Sequence, residues 1–531
     1  MKTIKNFLSM AALALMGAMM TGCSSDDNFD NPQQPENKSN VVTLTTTVGF
    51  DGGASTRALA SDGKKTFADG DQIAVIYKNS SDQTLKAVGT ITSGAGTKTA
   101  TFSVTLSAPD NTKAIRYIYP AAMAKETIAT NATIDDAGTV DFTKLNSQNG
   151  SLTTLGSSLD LCTFDAPNWT SGTLPNGNLA NQLAILAITV KDNVTPTAND
   201  ITSTITTLSV GDGTNVYSVS RSAAAGPIYV AIKPTTSATI GVNASDGTTR
   251  YYKELTTKTY AISNGYSVNW KMNEGGAHLS ALTGDYTANN GETLKGTLAK
   301  NVKVSIADGA TVTLDGVSIN ASGTWTSGNY AGINCAGNAT IILSGTNTVK
   351  GFDDDYPGVY VPSGKTLTID GTGSLNASTN GYGAGIGGAN YGDYDGNCGN
   401  IIIKGGTITA TGGNKGPGIG SGFSGMCDGI TIEGGTVIAT GGQYGAGIGS
   451  GFSGTCGTIT ISGGSVNATG GEDGAGIGSG YYGYCGDITI TSGVTSVTAT
   501  KGNNYAKSIG AGYAGDCGDI TIEGGANVTQ N

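Results

Sequence analysis

Short runs of alternating hydrophobic and polar residues recur at a fixed period over residues 398–531. Cysteines stand at positions 398, 427, 456, 485 and 517, so the spacings are 29, 29, 29 and 32 residues. The unit that starts at Cys456 reads CGTITISGGSVNATGGEDGAGIGSGYYGY. Its segments 459–461, 466–468 and 475–477 are bounded by glycines, which indicates strands joined by tight turns. Three strands per repeat without a helical period predict a parallel, right-handed β-helix with 29-residue turns.

Stacking of the turns would align equivalent residues in columns, with neighbouring turns about 4.8 Å apart. One column is predicted to fill the interior with aliphatic side chains: Ile401, Ile430, Ile459 and Ile488. The five cysteines form a second column. Because the side chains of a ladder point in parallel directions, we expect small buried thiols there, with disulfides as the alternative.

A third column is aromatic and stands four residues before each cysteine: Tyr394, Phe423, Phe452, Tyr481 and Tyr513. Rings spaced evenly along a flat face could stack on successive sugar rings and bind a glycan. The rings could instead stack on one another and fill the turn, as aromatic pairs do. The glycines that flank each ring suit both interpretations.

The solenoid is predicted to begin before the regular repeats, at about residue 279. The phrases GATVTLDGVSI, ATIILSGTNTVKG, GKTLTIDGTGSLNAS and GAGIGG divide this part into short strands. Their order resembles the carbohydrate-binding β-helix family that is related in shape to pectate lyases. The resemblance covers residues 279–531 and implies the fold more strongly than it implies sugar binding.

Residues 41–273 contain many short strand-like runs without a repeat, which is typical of antiparallel β-sandwiches. Asparagine, glycine and proline cluster around residues 165–180. We therefore predict two sandwiches, 41–170 and 171–273, and an all-β fold for the whole chain.

Several phrases in this part resemble the fimbrillin family of type V pilins and their accessory lipoproteins: STRA at 55–58, FADGDQIAV at 67–75, YIYP at 117–120, NQLAIL at 181–186 and ISNGYSV at 262–268. The resemblance implies transthyretin-like sandwiches and a place on the cell surface. In polymerising members an arginine-specific protease cuts the first loop, and Arg57 stands where that cut would fall. A solenoid at the C-terminal end departs from a shaft pilin, so polymerisation through a C-terminal donor strand is in doubt.

The N-terminal residues 1–22 have the features of a signal peptide. Lys2 and Lys5 precede an apolar run over residues 7–20, which is too short to span a bilayer. The following MTGC resembles a bacterial lipobox, which implies cleavage before Cys23 and lipidation of its thiol. Residues 23–40 then lack an apolar period and read as a flexible tether. The expected location is the outer membrane, anchored by lipid and exposed at the cell surface.

Charge and composition exclude several classes of function. Only 13% of the residues are charged and the formal net charge is −11, which argues against a nucleic-acid partner. His278 is the single histidine, so most histidine-dependent catalysis and most zinc sites are excluded.

A polysaccharide lyase would need a strong base and clustered carboxylates for calcium. No arginine follows Arg250, and the main acidic run is Asp353, Asp354 and Asp355, which we interpret as solvated loop residues. The repeats contain no column of carboxylates that could serve a glycosidase. We therefore expect no catalysis and no cofactor.

The sequence favours a fimbrillin-like surface adhesin whose β-helix contacts a glycan or the host matrix. The first alternative is a structural fimbrial subunit or pilus tip whose partners are other pilins. A polysaccharide lyase is the third hypothesis.

Overall fold

The computed structural model describes residues 41–50, 66–325, 328, 330–353, 355–390, 396–503 and 505–531. The predictions for the signal peptide, the tether, Cys23, Arg57, Asp354 and Tyr394 therefore lie outside the described residues. The predicted all-β fold is confirmed. The described helices span only three to five residues, and none of them could cross a membrane. These helices are Ala121–Met123, Asp136–Thr139, Phe142–Asn146, Leu152–Thr154, Leu155–Leu159 and Leu279–Ala281.

The first predicted sandwich is built from one sheet of seven strands that closes on itself. In spatial order the strands are Val41–Phe50, Thr99–Ser107, Thr84–Ser93, Gln72–Lys78, Ile115–Tyr119, Cys162–Ala166 and Gly177–Asn181. Closure occurs because the first strand pairs antiparallel with Thr99–Ser107 and parallel with Gly177–Asn181. Phe102, Tyr117 and Phe67 are buried in its core.

The second sandwich packs a six-stranded sheet against a three-stranded one. The larger sheet has the order Asn273–Glu274, Arg250–Tyr260, Thr235–Ser245, Thr207–Gly211, Val216–Ser220 and Ser147–Gln148, and the smaller one Ile228–Ile232, Ala184–Lys191 and Gly265–Lys271. Strand pairing crosses the expected boundary in both directions: Ser147–Gln148 pairs with Val216–Ser220 of the second sandwich, and Gly177–Asn181 hydrogen-bonds to Cys162–Ala166 of the first sheet.

The solenoid stacks three columns of parallel strands, which confirms the predicted β-helix. The first column contains Gly276–His278, Thr293–Thr297, Ala310–Ile319, Ala339–Ser344, Thr366–Gly371, Cys398–Ile403, Met426–Ile432, Thr455–Ile461, Tyr484–Cys485, Ile488–Ile490, Asp516–Cys517 and Ile520–Ile522. The second contains Thr346–Lys350, Ser374–Ser378, Thr407–Thr411, Thr436–Thr440, Ser465–Thr469, Ser496–Thr500 and Val528–Gln530. The third contains Tyr286–Ala288, Val304–Ile306, Ile333–Cys335, Val359–Tyr360, Ile386–Gly387, Ile419–Gly420, Ile448–Gly449, Ile477–Gly478 and Ile509–Gly510.

The isoleucine column lies inside the solenoid, as the alternation predicts. Ile430, Ile459 and Ile488 stand in register on neighbouring turns and are at most 1% exposed. Thr460, one residue later on the same strand, is only half-buried. Each turn therefore covers the apolar face of the next, and burial of this face stabilises the stack.

The cysteine column differs in part from the expectation of free thiols. Cys398 and Cys427 form a disulfide, because in-register neighbours bring their Cα atoms to 4.4 Å, a separation that a disulfide can bridge. Cys456 and Cys485 are buried thiols, and Cys517 is half-buried. Burial raises the pKa of Cys456 to about 12 and keeps this thiol protonated and inert.

Candidate functional site

The aromatic side chains lie on both sides of the third strand column. One set stands four residues after the isoleucine of each short strand: Phe423, Phe452, Tyr481 and Tyr513. The other set stands four residues before it: Tyr382, Lys415, Tyr444, Asp473 and Tyr505. We call the rings of both sets, together with Tyr482, the aromatic ladder.

Backbone hydrogen bonds between successive turns fix the two sets against each other. The amide of Phe452 donates to the carbonyl of Lys415 (2.9 Å), and the amide of Tyr481 donates to that of Tyr444 (2.9 Å). Phe423 and Tyr513 make the same bond to Tyr382 and Asp473, at 3.2 and 2.9 Å. The position of each ring is therefore a consequence of the repeat itself.

The same bond shows which residue occupies the aromatic column one turn earlier. The amide of Asn390 donates to the carbonyl of Asp355 (2.9 Å), so Asn390 holds the place that the cysteine spacing assigned to Tyr394. Ile386 and Cys398 are separated by four more residues than Ile419 and Cys427 are. The offset from the cysteine therefore does not identify Asn390, whereas the offset of four residues after Ile386 does.

The rings of the ladder pack on one another along the solenoid. Centroids are 5.4 Å apart between Phe423 and Phe452, and 5.3 Å between Phe452 and Tyr481. Tyr481 and Tyr513 are also 5.3 Å apart, with planes at 10°. This spacing is too short for rings to lie side by side in one plane, so they stack or tilt against each other. The rings at the centre of the ladder are therefore packed against one another.

Lys415 covers the first part of the ladder. Its ammonium nitrogen lies 4.2 Å from the ring centre of Phe423, 4.7 Å from that of Tyr382 and 5.5 Å from that of Phe452. These are cation–π distances. The faces of the predicted residues Phe423 and Phe452 are thus occupied by a side chain of the same protein.

The last turns leave the ladder open to solvent. Tyr505 is 74% exposed, Tyr482 58% and Tyr513 40%, whereas Tyr481 is half-buried beneath them. We call these four residues the tyrosine patch. Tyr481 and Tyr513 were predicted from the cysteine spacing. Tyr505 and Tyr482 were missed, although the fixed offset of four residues before Ile509 could have found Tyr505.

Carboxylates and amides border the tyrosine patch. Asn503 donates from its side-chain nitrogen to Oδ1 of Asp473 (2.8 Å), and Gln443 donates to Oε2 of Glu472 (3.2 Å). The pKa of Tyr481 is raised to about 12, mainly by its hydrogen bond with Tyr482, and the charge of Asp473 contributes. At neutral pH Tyr481 is thus a protonated phenol close to the carboxylate of Asp473.

A cavity of about 360 Å³ lies where the six-stranded sheet meets the start of the solenoid. Several polar groups that line it already form hydrogen bonds or an ion pair within the protein. Ser209 Oγ donates to the carbonyl of Ala281 (2.6 Å), and the Asn243 amide exchanges hydrogen bonds with the backbone of His278. Arg250 pairs with Glu292 at 3.2 Å. The cavity is therefore a poorer candidate than the tyrosine patch.

The single histidine lies in a serine–histidine–glutamate arrangement beside this cavity. Nε2 of His278 is 3.0 Å from Glu254, and Nδ1 is 2.9 Å from Ser280 Oγ. Such a chain can activate a serine nucleophile when a substrate reaches the hydroxyl. Here Ser280 is 4% exposed and His278 is 1% exposed. The arrangement therefore serves as a buried hydrogen-bonded contact between the solenoid and the second sandwich.

The described members of the acidic run considered for calcium, Asp353 and Asp355, are engaged in local contacts. Asp355 Oδ1 accepts a hydrogen bond from the side chain of Asn390 (2.8 Å), and Asp353 is also engaged. Within the described ranges, histidine, cysteine, aspartate and glutamate form no group of three that could hold a metal ion.

Comparison with known proteins identifies repeats of the solenoid. Segments 401–423, 430–452 and 459–481 match the beta helix repeat family. No curated protein matches the sequence significantly.

Solved structures also align with part of the chain. One is a candidate cell adhesion protein from Bacteroides uniformis, at 14% identity over 45% of this chain and 98% of that one, with a TM-score of 0.25. A fimbrial assembly protein from Parabacteroides distasonis aligns at 10% identity over 44% and 90% of the two chains, with a TM-score of 0.26. A candidate cell adhesion protein from Bacteroides ovatus aligns at 10% identity over 44% and 95%, also with a TM-score of 0.26.

Proposed function

We propose that the protein is a non-enzymatic surface adhesin that binds carbohydrate through the tyrosine patch. The observation that carries the proposal is the exposure of Tyr482, Tyr505 and Tyr513 at one end of an otherwise packed ladder. Exposed, clustered aromatic side chains are uncommon on a surface with no binding role. Tyrosine suits a sugar ligand because its ring stacks on a pyranose and its hydroxyl exchanges hydrogen bonds.

The contrast with the rest of the ladder supports this choice of site. Phe423 and Phe452 are covered by Lys415 and pack on their neighbours. They act as the rigid base from which the patch projects. A preformed surface of this kind loses little conformational entropy when a ligand binds.

The proposed place in the cell rests on the sequence. A lipid on Cys23 would hold the chain at the outer membrane, and residues 24–40 would let the folded part reach outward. Replacement of Cys23 by alanine should then release the protein from the membrane fraction. Retention of this variant in membranes, with no radiolabelled lipid on the wild type, would disprove the anchor.

A glycan array probed with the full chain tests the proposed function. We expect wild type to bind a defined set of glycans and Tyr505→Ala, Tyr513→Ala to lose that binding while the protein stays folded at the assay temperature, with a lower melting temperature from the lost stacking of Tyr513 on Tyr481. Tyr484→Ala is the matched control, because Tyr484 is 46% exposed on a first-column strand of the same turn. No glycan binding by wild type, or equal loss in the control, would overturn the proposal.

A structural fimbrial subunit remains the second candidate, and the first strand of the barrel favours it. Val41–Phe50 buries few side chains, and Val41 and Val42 are 50% and 37% exposed. Arg57 follows this strand in the chain, so cleavage there would leave the strand held by non-covalent pairing alone. Its departure would expose the edges of Thr99–Ser107 and Gly177–Asn181 to a strand from another subunit.

Limited digestion with an arginine-specific protease tests this candidate. Cleaved wild type should form denaturant-resistant oligomers, whereas Arg57→Ala should remain intact and monomeric. A cleaved protein that stays monomeric would argue against the fimbrial role and leave the adhesin proposal standing.

A further inference from the structure

The aromatic ladder already binds one ammonium group, that of its own Lys415. The nitrogen lies within 4.2 to 5.5 Å of three ring centres, contributed by Tyr382, Phe423 and Phe452. An ammonium over an aromatic face is attracted by the negative charge of the π system, and this attraction grows where water is partly excluded. The ladder is thus a cation-binding surface whose first section is occupied from within.

The repeat replaces this lysine in the later turns. The positions equivalent to Lys415 are Tyr444, Asp473 and Tyr505. The tyrosine patch therefore keeps the aromatic rings of the ladder but has a carboxylate where the first section has a cation. Two features that favour a positive charge, ring faces and a carboxylate, occur there together.

The charged residues of the last turns also favour a cationic ligand. Over the described residues 445–503 and 505–531 the acidic side chains outnumber the basic ones: Glu472, Asp473, Asp487, Asp516, Asp519 and Glu523 against Lys501 and Lys507. One of these carboxylates, Asp473, acts on Tyr481 of the patch, and Glu472 is its neighbour in the chain. A surface field of this sign attracts cationic ligands and repels anionic ones.

We propose that the tyrosine patch selects glycans that carry unsubstituted amino groups. This inference rests on the proposed carbohydrate-binding function and names its ligand class. The pyranose ring stacks on the exposed faces of Tyr505 and Tyr513, and the ammonium group on the sugar contacts Asp473. The ligand thereby supplies the charge that Lys415 supplies to Phe423.

Binding of two oligosaccharides that differ only in their amino groups tests the inference. The probes are a glucosamine hexamer and its fully N-acetylated counterpart, measured calorimetrically with the full chain at pH 5.5 and low salt. We expect the glucosamine hexamer to bind at least about fivefold more tightly, as one partly desolvated cation–π or ion contact would give. Added salt should reduce this preference.

Substitutions that keep the shape of the side chains assign the preference to the patch. Asp473→Asn with Glu472→Gln should bring the affinity for the glucosamine hexamer down to that for the acetylated hexamer. Glu433→Gln is the matched control, since Glu433 pairs with Lys404 on another face of the solenoid (3.8 Å) and its loss of charge should leave the preference intact.

The outcomes separate the inference from the function on which it rests. Equal binding of both hexamers, or binding of other neutral glycans alone, would overturn the inference and leave a carbohydrate-binding adhesin. Binding of polylysine without any glycan would overturn both and indicate a cationic protein partner. A preference that survives Asp473→Asn, Glu472→Gln would also overturn the inference, because the charge would then act elsewhere.

Discussion

Nε2 of His278 lies 3.0 Å from Oε2 of Glu254, and this contact joins the first turn of the solenoid to the second sandwich. His278 belongs to the strand Gly276–His278, and Glu254 to Arg250–Tyr260. A carboxylate can only accept, so Nε2 carries the proton and Nδ1 accepts from the hydroxyl of Ser280. The side chain of this buried histidine is thereby fully hydrogen-bonded, as a buried polar group requires.

Gly241 makes room for this histidine, so Gly241→Ala should destabilise the protein strongly. A Cβ atom at position 241 would lie 2.0 Å from His278 Nδ1 and 2.3 Å from Ser280 Oγ. The expected loss in the free energy of unfolding is about 2 kcal/mol or more. Gly284→Ala is the control, because its Cβ would meet nothing within 4 Å. Denaturant unfolding measures both, and equal stability of the two variants would contradict the proposed packing.

Stability should fall in mild acid because of the same histidine. Burial lowers the pKa of His278 below its ordinary value of 6.5, while Glu254 opposes this shift. The unfolded chain then binds a proton more readily, so this contribution is present above about pH 6.5 and is lost as the pH falls below it. His278→Gln should flatten the decrease in melting temperature between pH 7.5 and 5. An unchanged slope would show that other groups cause the decrease.

The interior isoleucine column predicts a contrast between two neighbouring positions. Ile459→Asp should cost more than about 3 kcal/mol, because it places an unpaired charge in a fully buried column. Thr460→Asp should cost about 1 kcal/mol or less, since its side chain faces outward. Thermal unfolding of both variants checks the contrast, and similar melting temperatures would mean that the strand faces are inverted.

The bond between Cys398 and Cys427 should contribute about 3 kcal/mol, because it closes a loop whose ends are 29 residues apart. The double variant Cys398→Ala, Cys427→Ala should unfold at lower denaturant concentration, and reductant should shift wild type in the same direction. Cys456→Ala removes a thiol from the same column without removing a bond. Alkylation of all column cysteines in unreduced, unfolded wild type would disprove the disulfide.

The sequence was sufficient to predict the solenoid because each turn repeats the same pattern of short strands and glycine turns. Period-two alternation at Ile459 and Thr460 determines which face is buried, and the 29-residue repeat determines the register. The disulfide was not predictable in this way, because all five cysteines share a column and only the distance between a specific pair decides which bond forms. The pairing of Ser147–Gln148 with Val216–Ser220 likewise depends on long-range strand contacts, which local composition does not encode.

The tyrosine patch was only partly predictable for a similar reason. Counting from the cysteines found Tyr481 and Tyr513, but it could not find Asn390 one turn before Phe423, because four more residues separate Ile386 from Cys398 than separate Ile419 from Cys427. Two features belong to the tertiary structure: Lys415 covers Phe423, and Tyr505 stays exposed. They arise from packing between turns and not from the repeat unit.

Two alanine variants should separate the structural part of the ladder from the binding part. Phe452 packs against Phe423, Tyr444 and Tyr481, so Phe452→Ala removes ring contacts on several sides and should lower stability by about 2 kcal/mol. Tyr505 is 74% exposed and touches the ladder through Tyr513. Its replacement should change stability by less than about 0.5 kcal/mol.

Glycan affinity should respond to the two substitutions in the reverse order. Tyr505→Ala should weaken glycan binding severalfold, because an exposed ring is available for stacking on a sugar. Phe452→Ala, measured well below its melting temperature, should retain most of the affinity, since Tyr505 and Tyr513 remain in place on the following turns. Unfolding and glycan titration of the same two proteins check both expectations. If Phe452→Ala loses binding while Tyr505→Ala keeps it, the ligand lies along the centre of the ladder and must displace Lys415, and the tyrosine patch is not the site.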